Sequence, residues 1–445
     1  MLTAEENELL TRIEGDAPMG QMMRHHWIPA LMTEEVSEPD GTPVRVRLFG
    51  ENLVAFRDTD GRVGIVDERC PHRLASLAFG RNEECGLRCL YHGWKFDVDG
   101  NVVEMPTESE GSNFAEKVKL KSYPTREAGG FIWAYMGPEE KMPRFMAPPW
   151  LVESDTSFAI AKINERTNWA QALEGSIDSA HSSALHSSNI MSGGGERTGP
   201  RDTLGGRSSG LMERPSYDKS PRIQVMPTPY GFRYAAIRKP SVNAEENNYI
   251  RITAYVAPFF SLIPPNTLYS AVQVFVPVDD YNTTFYFIAR GNDSHVDTSW
   301  WRQRLCARPG IDVDEKWNKV RTLENNYLQD RQKMKLGDFT GISGIPNQDM
   351  AMQETMGPIA DRTREKLGAS DIAIVRFRQV MIDAARKFQE TGDVIGLGED
   401  RLQPNALRAY EGIVPKSQSW HELGMSDAEA ELYRSSKTAE EESAA

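Results

Sequence analysis

Between residues 40 and 140 apolar and polar positions alternate in short runs: Val44-Arg-Val-Arg-Leu48, Leu53-Val-Ala-Phe56, Val63-Gly-Ile-Val66, Lys95-Phe-Asp-Val98 and Phe131-Ile-Trp-Ala-Tyr135. A period of two places successive side chains on opposite faces of a strand. Asp58-Thr-Asp-Gly61 and Asp99-Gly100 separate such runs, and Asp-Gly between alternating segments marks a hairpin. The stretch predicts a small all-β domain. Residues 1–28 mix acidic and apolar positions up to His25-His26-Trp27 and predict a helical lead-in. The segment Pro143-Arg-Phe-Met-Ala-Pro-Pro-Trp150 predicts the connection to a second domain. That domain opens with a helical pattern near 167–186, continues in β-branched and aromatic runs at 232–237, 249–256, 268–278 and 283–289, and returns to helix around 315–335 and 362–391. The expected division is 1–150, then an α+β domain over 151–435, then a polar tail over 436–445.

Composition narrows the function classes. The 445 residues include 51 Lys+Arg and 64 Asp+Glu, so the formal charge is 51 − 64 = −13. An acidic surface repels nucleic acid phosphates and anionic lipid, so neither is expected as a partner. The least polar stretch, Ala254-Tyr-Val-Ala-Pro-Phe-Phe-Ser-Leu-Ile263, falls short of the ~18 apolar residues that a spanning helix needs. The acidic start, Met1-Leu-Thr-Ala-Glu-Glu-Asn-Glu, lacks the basic and apolar regions of a signal peptide, and a cytoplasmic location is expected. Four cysteines, three of them within twenty residues, point to metal chemistry rather than a disulfide framework.

Cys70-Pro-His72-Arg73 is followed, sixteen residues on, by Cys89-Leu-Tyr-His92. Each loop supplies one thiolate and one imidazole. Two Cys and two His suit tetrahedral zinc, but zinc fingers pair like with like, whereas here each half is mixed. The alternative is a Rieske [2Fe-2S] cluster, in which two thiolates hold one iron and two imidazoles the other. Cys85 and Cys306 lie outside this spacing and are expected as buried small hydrophobes.

Glu174, Asp178 and His181 fall at i, i+4 and i+7, one face of a helix. His186 follows five residues after His181, a rotation of about 140° in a regular helix, so the helix must unwind to bring both imidazoles to one metal. A 2-His-1-carboxylate site with open positions is the signature of non-haem Fe(II) oxygenases. Two histidines leave it one carboxylate short.

The two cluster loops, with Cys89-Leu-Tyr-His-Gly-Trp-Lys-Phe read in full, resemble those of the Rieske non-haem iron oxygenases. The resemblance runs over nearly the whole chain. It is closest to the phthalate dioxygenase group, through Gly15-Asp-Ala-Pro-Met-Gly-Gln-Met-Met23, Trp169-Ala-Gln-Ala-Leu-Glu-Gly-Ser-Ile-Asp-Ser-Ala-His181 and Met356-Gly-Pro-Ile-Ala-Asp-Arg362. It implies an all-β Rieske domain followed by a helix-grip-like antiparallel sheet with helices. It implies a [2Fe-2S] cluster on Cys70, His72, Cys89 and His92 and a mononuclear Fe(II) on His181, His186 and Asp349, with Glu354 as runner-up for the carboxylate. Asp178 matches the family's bridging acid, expected to link His181 to cluster ligand His92 of a neighbouring subunit in a trimer or stacked hexamer. A flavin and ferredoxin-type NAD(P)H reductase is the implied electron source, and cis-dihydroxylation of an aromatic carboxylate by O2 the implied reaction. Related members act as monooxygenases or O-demethylases; a pure electron-transfer Rieske protein would need only residues 1–150. Carboxylate recognition calls for arginine forks, and Arg207 and Arg251 are the expected candidates. Arg207 lies in a glycine-rich segment with Arg197 and Arg201, read as a lid over the pocket.

Overall fold

The computed structural model describes every residue except 1, 110–111, 153–155, 194–211, 265–268, 292–294, 399–402 and 445. The chain divides into two compact units.

One unit comprises Ile13–Phe145 with Val276–Asp280 and is all-β apart from short helical turns. It holds a four-stranded sheet ordered Val44–Leu48, Glu51–Arg57, Val63–Asp67 and Ser122–Tyr123. A second four-stranded sheet is formed by Arg81–Glu83, Gly86–Arg88, Lys95–Phe96 and Val102–Glu104, and a three-stranded one by Trp27–Met32, Phe131–Tyr135 and Thr125–Ala128. All ladders are antiparallel. The alternating runs form strands because one face of each is apolar: Val54, Phe56, Val66, Leu87, Trp94 and Phe96 pack into one core with Cys70 and Cys89. The Asp99-Gly100 turn forms as expected, with Gly100 at φ +79° and its N–H donating to Asp97 O. A Cβ there would lie 2.1 Å from Leu120 O, so only glycine fits. Cys85 and Cys306 are half-buried rather than buried.

The other unit comprises residues 1–12, Met146–Phe275 and Tyr281–Ala445. The helix Ala4–Thr11, read from sequence as a lead-in to the first sheet, groups with this unit. Its centre is an eight-stranded sheet ordered Phe158–Glu165, Asn282–Gly291, Tyr269–Asp279, Phe260–Ile263, Asn247–Val256, Gly231–Arg238 and Arg222–Thr228, with Tyr410–Pro415 also paired to Asn247–Val256. The twenty-residue helix Ile372–Thr391 buries Ala373, Ile374, Phe377, Met381, Ile382 and Ala385, a stripe at helical spacing, and stops at Gly392 in the left-handed region. Phe377 meets Trp169 and Tyr255 edge to face, at 5.7 and 5.2 Å between centroids. The helix begins at 372 rather than 362, and the 315–335 region holds only a 3-10 turn, Leu323–Leu328, and the five-residue helix Arg331–Lys335.

Candidate active site: two metal centres

The two cysteine loops fold as twins. In one, Cys70 N–H donates to Ala75 O at 2.9 Å and Leu74 N–H to Cys70 O at 2.9 Å. In the other, Cys89 N–H donates to Trp94 O at 2.8 Å and Gly93 N–H to Cys89 O at 3.0 Å. The fifth residue of each loop, Leu74 or Gly93, has a positive φ of 60° or 75°. The cysteines are buried, while the His72 and His92 rings lie 4.3 Å apart at the half-buried outer edge. Burial pushes the Cys70 thiol up to about 11, opposed by N–H groups of His72 and Arg73 that point at its sulfur. Metal binding here must displace protons, and those N–H groups would stabilise the resulting thiolate. Ligands of a single zinc lie within ~4 Å of one another. Among the described residues, the only three-residue His/Cys/Asp/Glu set closing to within 4.8 Å is a different one, His181, His186 and Asp349. Two thiols inside and two imidazoles outside, spread too widely for one ion, suit a two-iron cluster.

The second centre depends on where a helix stops. Asn168 caps the helix Trp169–Ser176, accepting from Ala170 N–H at 3.1 Å. Gly175 lets it approach the helix Ile345–Thr355 closely, since a Cβ there would sit 2.2 Å from Gln353 Nε2. Beyond Ser176 the chain unwinds. Asp178 Oδ1 accepts from Ala180 and His181 N–H at 2.8 and 3.2 Å, and a 3-10 turn follows over His181–Ser183. The sequence periodicity placed Glu174, Asp178 and His181 on one continuous helical face; the structure corrects this. Glu174 is still on the helix and points away, its carboxylate held by Arg362 Nε at 3.0 Å and Arg378 Nε at 2.8 Å. Asp178 and His181 lie past the helix end.

The break brings the imidazoles together. His181 Nε2 and His186 Nε2 are 3.1 Å apart, and Asp349 Oδ1 lies 3.4 and 3.1 Å from them. Three ligands at right angles around one ion, each ~2.1 Å from it, stand about 3.0 Å apart. The triad therefore has the dimensions of a facial metal site with open positions. Glu354 is not available to it: Arg166 N–H (2.9 Å), Tyr327 OH (2.7 Å) and Lys319 already occupy its carboxylate.

Two side chains orient the ligands. His181 Nδ1 faces Asp178 Oδ2 at 3.5 Å. His186 Nδ1 lies 2.7 Å from Gln348 Oε1. Gln348 Nε2 donates to Ile342 O at 2.8 Å and Asn189 Oδ1 at 2.9 Å, so the amide oxygen must face His186. His186 then carries its proton on Nδ1 and offers the lone pair of Nε2.

The triad opens on a cavity of about 190 Å³. Phe275, Phe285, Phe287, Trp301 and Leu305 form apolar walls, and Arg251 and Arg304 add two guanidiniums. Arg251 Nη2 donates to Pro264 O at 3.1 Å while its Nε is buried without a partner. Arg207, with Arg197 and Arg201, lies outside the described residues. Gln348, Arg304 and Glu165, which also lines the cavity, escape the sequence reading; no local motif marks them.

The chain matches the Rieske [2Fe-2S] domain family over residues 26–124 and the family described as LigXa C-terminal domain like over residues 134–444. It is 56% identical to the phthalate 4,5-dioxygenase oxygenase subunit of Pseudomonas putida, covering 95% of this chain and 94% of that one. The chain belongs to the Rieske non-haem iron oxygenases. It is 34% identical to the 3-chlorobenzoate-3,4-dioxygenase oxygenase subunit of Comamonas testosteroni, over 94% of this chain and 97% of the relative. The fold is shared with an oxygenase–ferredoxin complex of carbazole 1,9a-dioxygenase at a TM-score of 0.53, 20% identity and coverage of 86% and 96%. The chain is thus the oxygenase component of a Rieske dioxygenase and carries a [2Fe-2S] cluster and a mononuclear iron. No described helix is long and apolar enough to cross a membrane. The cluster loops are only part of the machinery, and a pure electron carrier would need neither the triad nor the second domain.

Proposed function

We propose that the chain cis-dihydroxylates an aromatic carboxylate of the phthalate type, with the cluster on Cys70, His72, Cys89 and His92 and the iron on His181, His186 and Asp349. The observation that carries the substrate class is the cavity: aromatic walls hold a benzene ring, and Arg251 and Arg304 supply two cations for carboxylates in one small space. A guanidinium fork pairs a carboxylate bidentately, and Arg251 lines the cavity. The 56% identical relative named for phthalate supports the same class.

The mononuclear iron, when bound, activates dioxygen with electrons from the cluster. This chain's own residues do the rest. Arg251 and Arg304 hold the carboxylates, and the phenylalanine walls exclude water and fix the ring. Gln348 and Asp178 keep both imidazoles with Nε2 turned inward. We further assign the working unit to a ring of three subunits, in which Asp178 of one chain reaches His92 of the next. In support, Leu74, Leu90 and Tyr91 beside the histidine edge are 65%, 61% and 56% exposed, an apolar rim suited to a second copy. An NAD(P)H reductase carrying flavin and a ferredoxin-type cluster is the proposed electron donor.

The test is turnover of phthalate, isophthalate and benzoate by the reduced chain. Phthalate should be preferred, and Arg251→Met and Arg304→Met should raise KM for it at least tenfold while leaving benzoate less affected. Equal use of all three acids by the unaltered chain would contradict the two-cation reading.

A further inference from the structure

Two buried carboxyls, Glu165 and Glu354, feel each other's charge, and they differ in how well they are satisfied. Glu354 has Lys319, Arg166 N–H and Tyr327 OH as partners. Glu165, the last residue of the strand Phe158–Glu165, is 2% exposed and lines the cavity, and its Oε1 is buried with no hydrogen-bond partner. A buried carboxylate left without donors is costly, so such a group keeps its proton. The charges facing it agree. Burial is the largest influence and raises its pKa; Lys319 favours ionisation, and the Glu354 and Asp349 carboxylates oppose it, leaving the pKa pushed up to about 8. Lys319 is already engaged by Glu354. Tyr234, also on the cavity, is a poorer proton source, since burial makes its hydroxyl a weaker acid.

Dihydroxylation needs protons in a space with apolar walls. One ring C=C, one O2, two electrons and two protons become one cis-diol: two C–O bonds form, the O–O bond breaks, and dioxygen is the species reduced. We propose that Glu165 is a proton donor of this cavity, passing its carboxyl proton to one oxygen of dioxygen as the O–O bond breaks; solvent supplies the second proton to the other oxygen and reprotonates Glu165 before the next turnover. The electrons come from the reductase through the cluster. The inference rests on the reading of the cavity as the place of ring oxygenation.

The test uses the full chain and its Glu165→Gln and Glu165→Asp variants. In the infrared spectrum of the full protein with cluster and iron loaded, a protonated-carboxyl C=O band should be present at neutral pH, fade as pH is raised and be absent from Glu165→Gln. With cluster and iron loaded, kcat of Glu165→Gln should fall about 100-fold or more, the range for loss of a general acid, with KM unchanged. The wild-type loss of kcat at alkaline pH should vanish in Glu165→Gln and return in Glu165→Asp. Unchanged kcat in Glu165→Gln, a raised KM with unchanged kcat, or a C=O band that survives the substitution would each overturn the assignment. Failure of the underlying reading would look different: the unaltered chain would make no ring-oxygenated product while the infrared band behaved as described.

Discussion

Replacing Gln348 by leucine should weaken iron binding without touching the cluster. In the native chain the amide oxygen accepts from His186 Nδ1 at 2.7 Å and the amide nitrogen is anchored on Ile342 O and Asn189 Oδ1. His186 is 3% exposed, so water does not replace a lost partner. A leucine leaves the Nδ1–H buried and unpaired, a cost of about 1–3 kcal/mol. The ring can escape that cost by rotating or changing tautomer, and either movement takes the Nε2 lone pair off the metal. Loss of such a supporting partner typically costs 10–100-fold in metal affinity, or about 1.4–2.8 kcal/mol at 1.4 kcal/mol per tenfold. The two estimates agree. The assay is an anaerobic Fe(II) titration of protein freed of its mononuclear iron, with the visible spectrum of the cluster as internal control. A leucine variant with native iron affinity would refute the reasoning.

If Asp178 bridges two imidazoles as proposed, Asp178→Asn should leave both metal contents unchanged and lower coupled turnover by at least tenfold, because the amide cannot hold two imidazole N–H groups as a carboxylate does; iron analysis beside product yield checks it, and near-native turnover would remove the bridging role. Glu174→Gln should destabilise the second unit by about 3–5 kcal/mol, the cost of leaving a buried charge unpaired, here Arg362 and Arg378; chemical denaturation measures it. Burial raises the pKa of Glu174, but the two arginines outweigh it and hold the carboxyl below its ordinary value. Its stabilising contribution is therefore full above the ordinary carboxylate range and lost as pH falls from that range toward the depressed folded pKa; the glutamine variant should show a shallower acid decline. Mild chelation should remove the mononuclear iron first, since the triad borders an open cavity and the cysteines are buried; activity should fall with the cluster colour intact and return with Fe(II) but not with zinc.

The parts of this site that were readable in the sequence are those carried by short-range chemistry. Cys70-Pro-His72 and Cys89-Leu-Tyr-His92 point to a cluster because each Cys/His pair rides on one tight loop, and the loops do fold as twins. The strands at 232–237 and 249–256 were legible through their β-branched and aromatic content, and they form within Gly231–Arg238 and Asn247–Val256. Periodicity misled at Glu174: spacing shows which residues share a helical face, not where the helix ends or what that face meets. It ends at Ser176, and the Glu174 partners come from residues 362 and 378, far along the chain. The same distance hid Gln348, Arg304 and Glu165, whose placement at the site depends on contacts between separate elements. Helix over 315–335 was expected from composition, yet Asn326, Tyr327 and Leu328 all take positive φ values and break it.

The most direct test of the whole account is a single turnover of the fully reduced protein with phthalate and ¹⁸O-labelled dioxygen, read by mass spectrometry. The account predicts a cis-dihydrodiol carrying both labelled atoms, formed only when cluster and iron are both present. A product with one labelled atom, release of formaldehyde from a methoxylated analogue in preference to ring attack, or no product from any benzene carboxylate would contradict it.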